Sequence, residues 1–249
     1  ISNSLFDTNK LIGEGGALNI YGVSTVNVRD SSFNNNRASY GGAIRLMEIY
    51  DSVTIENSNF TDNRVTYDGA AIYFPTNVTD VTIDGCNFER NGAFRGDGGA
   101  IYFFSTSNNT RIANSKFIDN YVSYGYGGAV FFGSDSSYVC IENSLFKNNT
   151  AGRFGLTNDV YKLPEYYGGA IFVASTETPN EFTNLTFIDN KATRGGAIYY
   201  YGGGAIISAS NFTGNEAHMG SAVFLGKTGK NSNSISDSYF ADNPANSTK

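Results

Sequence analysis

Residues Phe187 to Tyr200 read F-I-D-N-K-A-T-R-G-G-A-I-Y-Y, and this stretch holds two signals that recur through the chain. The first is Phe-x-x-Asn, at Phe6/Asn9, Phe33/Asn36, Phe60/Asn63, Phe88/Asn91, Phe117/Asn120, Phe146/Asn149, Phe187/Asn190, Phe212/Asn215 and Phe240/Asn243. The second is Gly-Gly-Ala followed by Ile, Leu or Val, beginning at Gly15, Gly41, Gly98, Gly127, Gly168 and Gly195, with weakened copies at Gly69 and Gly220. Successive phenylalanines lie 27, 27, 28, 29, 29, 41, 25 and 28 residues apart. A pair of signals at a nearly fixed period marks a repeat architecture, which has to be read before any local feature.

Within one repeat, Val53 to Phe74, apolar residues alternate with polar ones in short runs separated by Gly, Asn, Asp and Ser. That is the strand signal, and no window keeps a helical spacing of apolar residues. Each unit predicts three short strands, V-T-I, S-x-F and A-I-Y-F. One unit cannot bury its own apolar face, so copies must stack. The expected fold is all-β: a right-handed parallel β-helix of about nine rungs, roughly 40 Å long at a strand spacing of about 4.8 Å. Equivalent residues agree down the chain. Five before each Phe stand Ile1, Val28, Ile55, Ile83, Ile112, Ile141, Phe182, Ile207 and Ile235; two before it stand mostly serines, with Cys86 and Leu185 as exceptions. The predicted structural ladders are the phenylalanines Phe33, Phe60, Phe88, Phe117, Phe146, Phe187 and Phe212, and the asparagines Asn36, Asn63, Asn91, Asn120, Asn149 and Asn190, whose amides can bond from rung to rung. A further Asn or Asp series three before Phe, at Asn3, Asp30, Asn57, Asn114, Asn143, Asn184 and Asp237, marks another turn.

The paired G-G-A-[ILV] and F-x-x-N repeats resemble the passenger regions of chlamydial polymorphic outer-membrane proteins and the adhesin-like surface proteins of methanogenic archaea. The resemblance covers essentially the whole chain. It implies surface display and adhesion, and it supplies no catalytic residues to carry over.

The 249 residues carry a net charge of −6, with charged residues only 16% of the chain. No basic stripe is present, which argues against nucleic acid as a partner. No apolar run approaches the length of a membrane span. The chain starts inside a rung at Ile1 and stops just past Asn243, so flanking domains of the same chain are expected on a single β-helix segment, residues 1–249. An extracellular, cell-surface location follows from the resemblance. Cys86 and Cys140 fall on different rungs, too far apart to bridge. No cofactor is implied. His218 is the sole histidine, and no D-x-[DN]-x-[DN]-G loop appears, so no metal site is expected.

Two features point to binding. Residues 150–167 insert a loop between Phe146 and Gly168, rich in apolar residues that include Phe154, Tyr161 and Tyr166; long loops on rigid scaffolds often carry function. In addition, alternation within A-I-Y-F turns one residue per rung outward, giving Tyr73, Tyr102, Phe131, Phe172, Tyr199 and Phe224 in succession. An exposed aromatic ribbon of that kind suits sugar rings or a protein partner, whereas the inserted loop or a neighbouring domain folded over it would make it structural. The expected function is a non-catalytic adhesin segment, a stiff rod offering this stripe and loop to a polysaccharide or to another cell's surface protein. A polysaccharide lyase or glycoside hydrolase on the same fold is the alternative. Its candidate acids, Asp62, Asp119, Asp189 and Asp242, stand two after Phe on alternate rungs, a spacing that mutual repulsion also explains. Sequons at Asn59, Asn77, Asn108, Asn148, Asn184, Asn211 and Asn246 offer possible glycosylation sites.

Overall fold

The computed structural model describes all residues except 105–106, 135, 153–164, 177, 227–230 and 246–249. Among the described residues every regular element is a strand, and every strand pairing is parallel. The chain coils so that the S-x-F strand of each repeat lies on that of the next, forming a nine-stranded sheet from Leu5–Asp7 to Tyr239–Ala241. Phe6 pairs with Phe33, Phe33 with Phe60, and so on without slippage to Phe240. The rings stack 4.6–5.0 Å apart with nearly parallel planes. Parallel strands impose that spacing, and it is also the spacing at which aromatic faces meet.

The cross-section differs from three separate strands per rung in two ways. First, A-I-Y-F and V-T-I share one fourteen-stranded sheet. In the early rungs they run together unbroken as Leu18–Arg29 and Ile44–Glu56; later the link between them breaks into separate strands such as Ile101–Phe103 and Ser107–Ala113. Second, a two-residue strand follows the ladder asparagine, as in Arg64–Val65, Gly92–Ala93 and Tyr121–Val122, and five of these form a third sheet. Two residues carry no readable period, so no pattern in the chain marks this sheet.

The asparagine ladder closes the corner between the phenylalanine sheet and the short-strand sheet. Asn91 is fully buried. Its Nδ2 donates to Asn120 Oδ1 at 3.0 Å and to the Phe60 carbonyl at 2.8 Å, while its Oδ1 accepts from Asn63 N and Nδ2 at 3.1 and 2.9 Å. The pattern repeats from Asn36 to Asn215. Both amide protons and the carbonyl oxygen are thereby satisfied in a dry interior, as buried polar groups must be. Serines two before Phe close the opposite corner: Ser115 Oγ accepts from Cys86 N and donates to the Ala113 carbonyl. Cys86 replaces one of these serines and stays unpaired and buried, with its thiol pushed up to about 12 by desolvation. Cys140 is also free.

Turn residues follow from backbone angles. The position three before Phe has positive φ on every rung, from Asn3 (49°) to Asp237 (48°), as does the position two after Phe, where Asp62, Asp119, Asp189 and Asp242 have φ of 49–57°. Left-handed backbone favours Asn, Asp and Gly. The alternating aspartates therefore owe their identity to this turn geometry; Arg90 and Gly214 take the same conformation between them. The first glycine of each pair is left-handed as well, and at the second a Cβ would strike the carbonyl of the next rung, as at Gly99 against Gly128.

Candidate functional site

The outward aromatic stripe exists, but it is not an exposed ribbon. Tyr73, Tyr102, Phe131, Phe172 and Tyr199 stack at 4.7–5.6 Å, continue to Phe224, and form a cluster separate from the coil interior. The first five are only 6–9% exposed. Tyr73, Phe172 and Tyr199 are covered by the residue that precedes a Gly-Gly pair. That position runs Glu14, Tyr40, Asp68, Asp97, Tyr126, Tyr167, Arg194 and Met219. Its side chain leans over the stripe ring of the following rung: Tyr40 stacks on Tyr73 at 5.2 Å, Tyr126 on Phe172 at 5.2 Å, and Tyr167 on Tyr199 at 4.5 Å. Arg194 continues the cover over Phe224 at 6.0 Å and reaches back over Tyr167 at 5.6 Å.

The cover is interrupted at Asp68 and Asp97. An aspartate cannot span a tyrosine ring, and the residue before it in the turn is small on two successive rungs: Gly96, before Asp97, and Gly125, before Tyr126, occupy the place held by Tyr67 and Tyr166 on the flanking rungs. A Cβ on Gly96 would collide with Asp68 Oδ1 and with the Tyr67 carbonyl, and one on Gly125 with the Gly96 carbonyl. The result is a cleft of about 660 Å³ whose lining includes Tyr102, Tyr124, Tyr126, Tyr166 and Tyr167, with Asp68, Asp97, Glu165 and Arg95. By the same offset Asp68 falls before Tyr102 and Asp97 before Phe131, so neither ring has a tyrosine over it, and Tyr102, itself buried, is the one on the cleft lining.

Backbone amides fix the two aspartates. Asp68 Oδ1 accepts from Asp97 N at 2.8 Å, and Asp97 Oδ1 accepts from Tyr126 N at 2.7 Å. Neither is in an ion pair among the described residues. Desolvation raises the pKa of both against the lowering effect of those amides, and the Asp97 carboxyl, with the Asp68 charge beside it, rises to about 7. Burial raises the Tyr102 and Tyr126 hydroxyls as well, with the nearby aspartates adding to it. On the rim Glu165 accepts from Tyr167 Oη and pairs with Arg194, and the Arg95 guanidinium lies over Phe94. The cleft thus offers aromatic walls, a row of hydrogen-bond acceptors and one cation.

Of the other expected binding residues, Tyr166 is buried and lines the cleft, packing also with Val122, Ala151 and Ala192. Phe154 and Tyr161 lie outside the described residues. The alternate-rung aspartates are absent from the cleft lining, so the acids proposed for a hydrolase are turn residues. Among the sequons, Asn59, Asn77, Asn148, Asn184 and Asn211 are exposed and Asn108 is half-buried; the Asn184 amide donates to Asn143 Oδ1 at 2.7 Å, and Asn246 is outside the described residues. A second depression, of about 500 Å³, lies beside Tyr50, Pro75 and Phe104 near Asn77. Among the described residues no three His, Cys, Asp or Glu side chains are grouped to hold a metal, and no helix is long and apolar enough to cross a membrane.

The coil is matched by known families along most of its length. A model described as the right handed beta helix region covers residues 1–151, and one for the Chlamydia polymorphic membrane protein repeat covers residues 184–201. No curated protein and no solved structure gives a significant match to the chain. With stacked parallel rungs running through the first match and on past the second, the chain belongs to the right-handed β-helix family and carries a repeat of the chlamydial polymorphic membrane protein type.

Proposed function

We propose that this chain is a surface-displayed, non-catalytic adhesin segment that holds a polysaccharide in the Tyr102 cleft. The polymorphic membrane protein repeat at residues 184–201 supports outer-surface display, and the resemblance of the repeats to archaeal adhesin-like proteins points the same way. The observation that carries the ligand reading is the gap in the tyrosine cover at Asp68 and Asp97, where a cleft lined by tyrosines and both aspartates reaches the buried stripe at Tyr102. Sugars present an apolar face to aromatic rings and donate hydroxyls to carboxylates, and this lining offers both on a rigid scaffold.

A glycan array tests the reading, with the parent protein compared to Asp68→Tyr. Tyrosine occupies the same position at Tyr40, Tyr126 and Tyr167, so the substitution completes the cover over Tyr102 with a side chain the coil already accommodates. Binding by the parent and its loss in Asp68→Tyr is the expected result. A parent that binds no glycan, or a variant that binds as well, removes the cleft as the contact site.

One observation favours the hydrolase reading. Asp68 and Asp97 occupy equivalent positions one rung apart, about 4.8 Å along the axis, close to the ~5 to 5.5 Å of retaining glycosidases. A carboxyl held near 7 suits a general acid. Release of reducing ends from a bound polysaccharide, abolished in Asp97→Asn, would establish it.

A further inference from the structure

We propose that the Tyr102 cleft selects a polysaccharide unit bearing a protonated amine, a deacetylated aminosugar, over its neutral or N-acetylated counterparts. This rests on the polysaccharide reading above and adds the charge class of the ligand. Three observations carry it.

The first is the cavity itself. Tyrosine rings wall a space of about 660 Å³, large enough for one or two sugar units. Such rings attract a cation through their faces, more strongly when water is excluded.

The second is the state of the two aspartates on its lining. Each commits Oδ1 to a backbone amide of the next rung. Among the described residues, Oδ2 of each has no hydrogen-bond partner. Two acceptors therefore stand one strand spacing apart with no donor between them. An ammonium group, with three donors, can bridge them; a hydroxyl supplies a single proton, and an acetamide supplies one N–H and brings a methyl group against the carboxylates.

The third is charge. Arg95, the one cation on the cleft lining, lies over Phe94 and pairs with neither aspartate among the described residues, and Arg194 is engaged with Glu165 and the Tyr167 ring. The two partly desolvated carboxyls side by side have no paired counter-charge, and a cationic ligand provides one and favours the ionised form of both. A divalent metal is a poorer fit, since calcium requires six to eight oxygens and no third acidic, His or Cys ligand joins the pair among the described residues.

Calorimetric titration with three β-1,4-linked tetrasaccharides, of glucosamine, N-acetylglucosamine and glucose, at about pH 7, where Asp97 is no longer fully protonated and the amine still carries part of its charge, tests this on the intact chain. The glucosamine oligomer is expected to bind at least tenfold more tightly than the other two. That advantage is expected to shrink in 0.5 M salt and to vanish in the Asp68→Asn/Asp97→Asn double variant, whose amide oxygens can still accept from Asp97→Asn N and Tyr126 N and so keep the turn. Equal or tighter binding of the acetylated or neutral oligomer overturns the amine preference and leaves the cleft as a sugar site. A preference that survives in the double variant overturns the role of the aspartates. Failure of all three oligomers to bind, together with an empty glycan array, overturns the polysaccharide reading and this inference with it.

Discussion

Asp68 and Asp97 are the same residue on successive rungs, and the first caps the second: Asp97 N donates to Asp68 Oδ1 at 2.8 Å. The interruption of the aromatic cover is therefore built into the turn, and its two carboxyls cannot swing away without releasing a backbone amide. One of them carries a desolvation penalty. The Asp97 pKa is raised, chiefly by desolvation, from 3.8 to about 7. The folded state thus holds its proton longer than the unfolded chain, so the penalty grows as pH rises from about 4 to about 7 and is complete above it. Asp97→Asn is expected to raise the melting temperature at pH 8 and to leave it nearly unchanged at pH 4, as followed by circular dichroism. A variant less stable than the parent at pH 8 contradicts this account.

The asparagine ladder predicts a steep cost. Asn91→Ala removes two donated bonds and strands the Phe60 carbonyl and the Asn63 amide groups in a dry corner. A loss of about 3 kcal/mol or more is expected, read as a lower urea midpoint. Asn91→Asp, which keeps the shape but offers no donors and buries a charge, should do more harm than the alanine.

The turn explanation for the alternating aspartates separates from a catalytic one by substitution at Asp119, where φ is 56°. Asp119→Gly is expected to stay within a few tenths of a kcal/mol of the parent, whereas Asp119→Val, which clashes in left-handed backbone, should cost about 1–2 kcal/mol. Any glycan affinity should be the same in the parent and in Asp119→Gly.

The two thiols should differ in reactivity. Cys86 is buried in the serine corner with its pKa near 12, whereas Cys140 is half-buried, its pKa raised by partial desolvation and by Glu142 and Glu181. In the native protein at pH 8 a thiol reagent is expected to modify Cys140 slowly and Cys86 not at all, with both modified in denaturant. Peptide mapping identifies the labelled residue.

Truncation of one stacked ring, Phe117→Ala, leaves Phe88 and Phe146 without the partner that now sits 4.7–4.8 Å from each. A loss of about 3–5 kcal/mol is expected for so buried a ring.

The parts of this architecture that repeat were legible from the chain alone. Phe-x-x-Asn marked both the ring stack and the amide ladder, because each needs one residue type at one place on every rung. The cleft was not legible, because it is made by a break in a series. The position before Gly-Gly varies among Tyr, Asp, Glu, Arg and Met, and no sequence pattern marks that Tyr40, Tyr126 and Tyr167 lean over rings of the following rung. R-G-D-G-G at residues 95–99 beside Y-G-Y-G-G at residues 124–128 was the available sign: the same turn, with an aspartate in place of the covering tyrosine. The alternating aspartates after Phe drew attention instead, since acidity is easier to see in a sequence than a positive φ.

Forty-one residues separate Phe146 from Phe187, yet the two rings pair in register and Asn149 still bonds Asn190 at 3.0 Å. The coil passes over a dozen additional residues at that corner as though they were absent. A foreign peptide grafted between Gly152 and Glu165 would accordingly be carried on the side of an undisturbed rod, which makes the corner a natural mount for displayed epitopes.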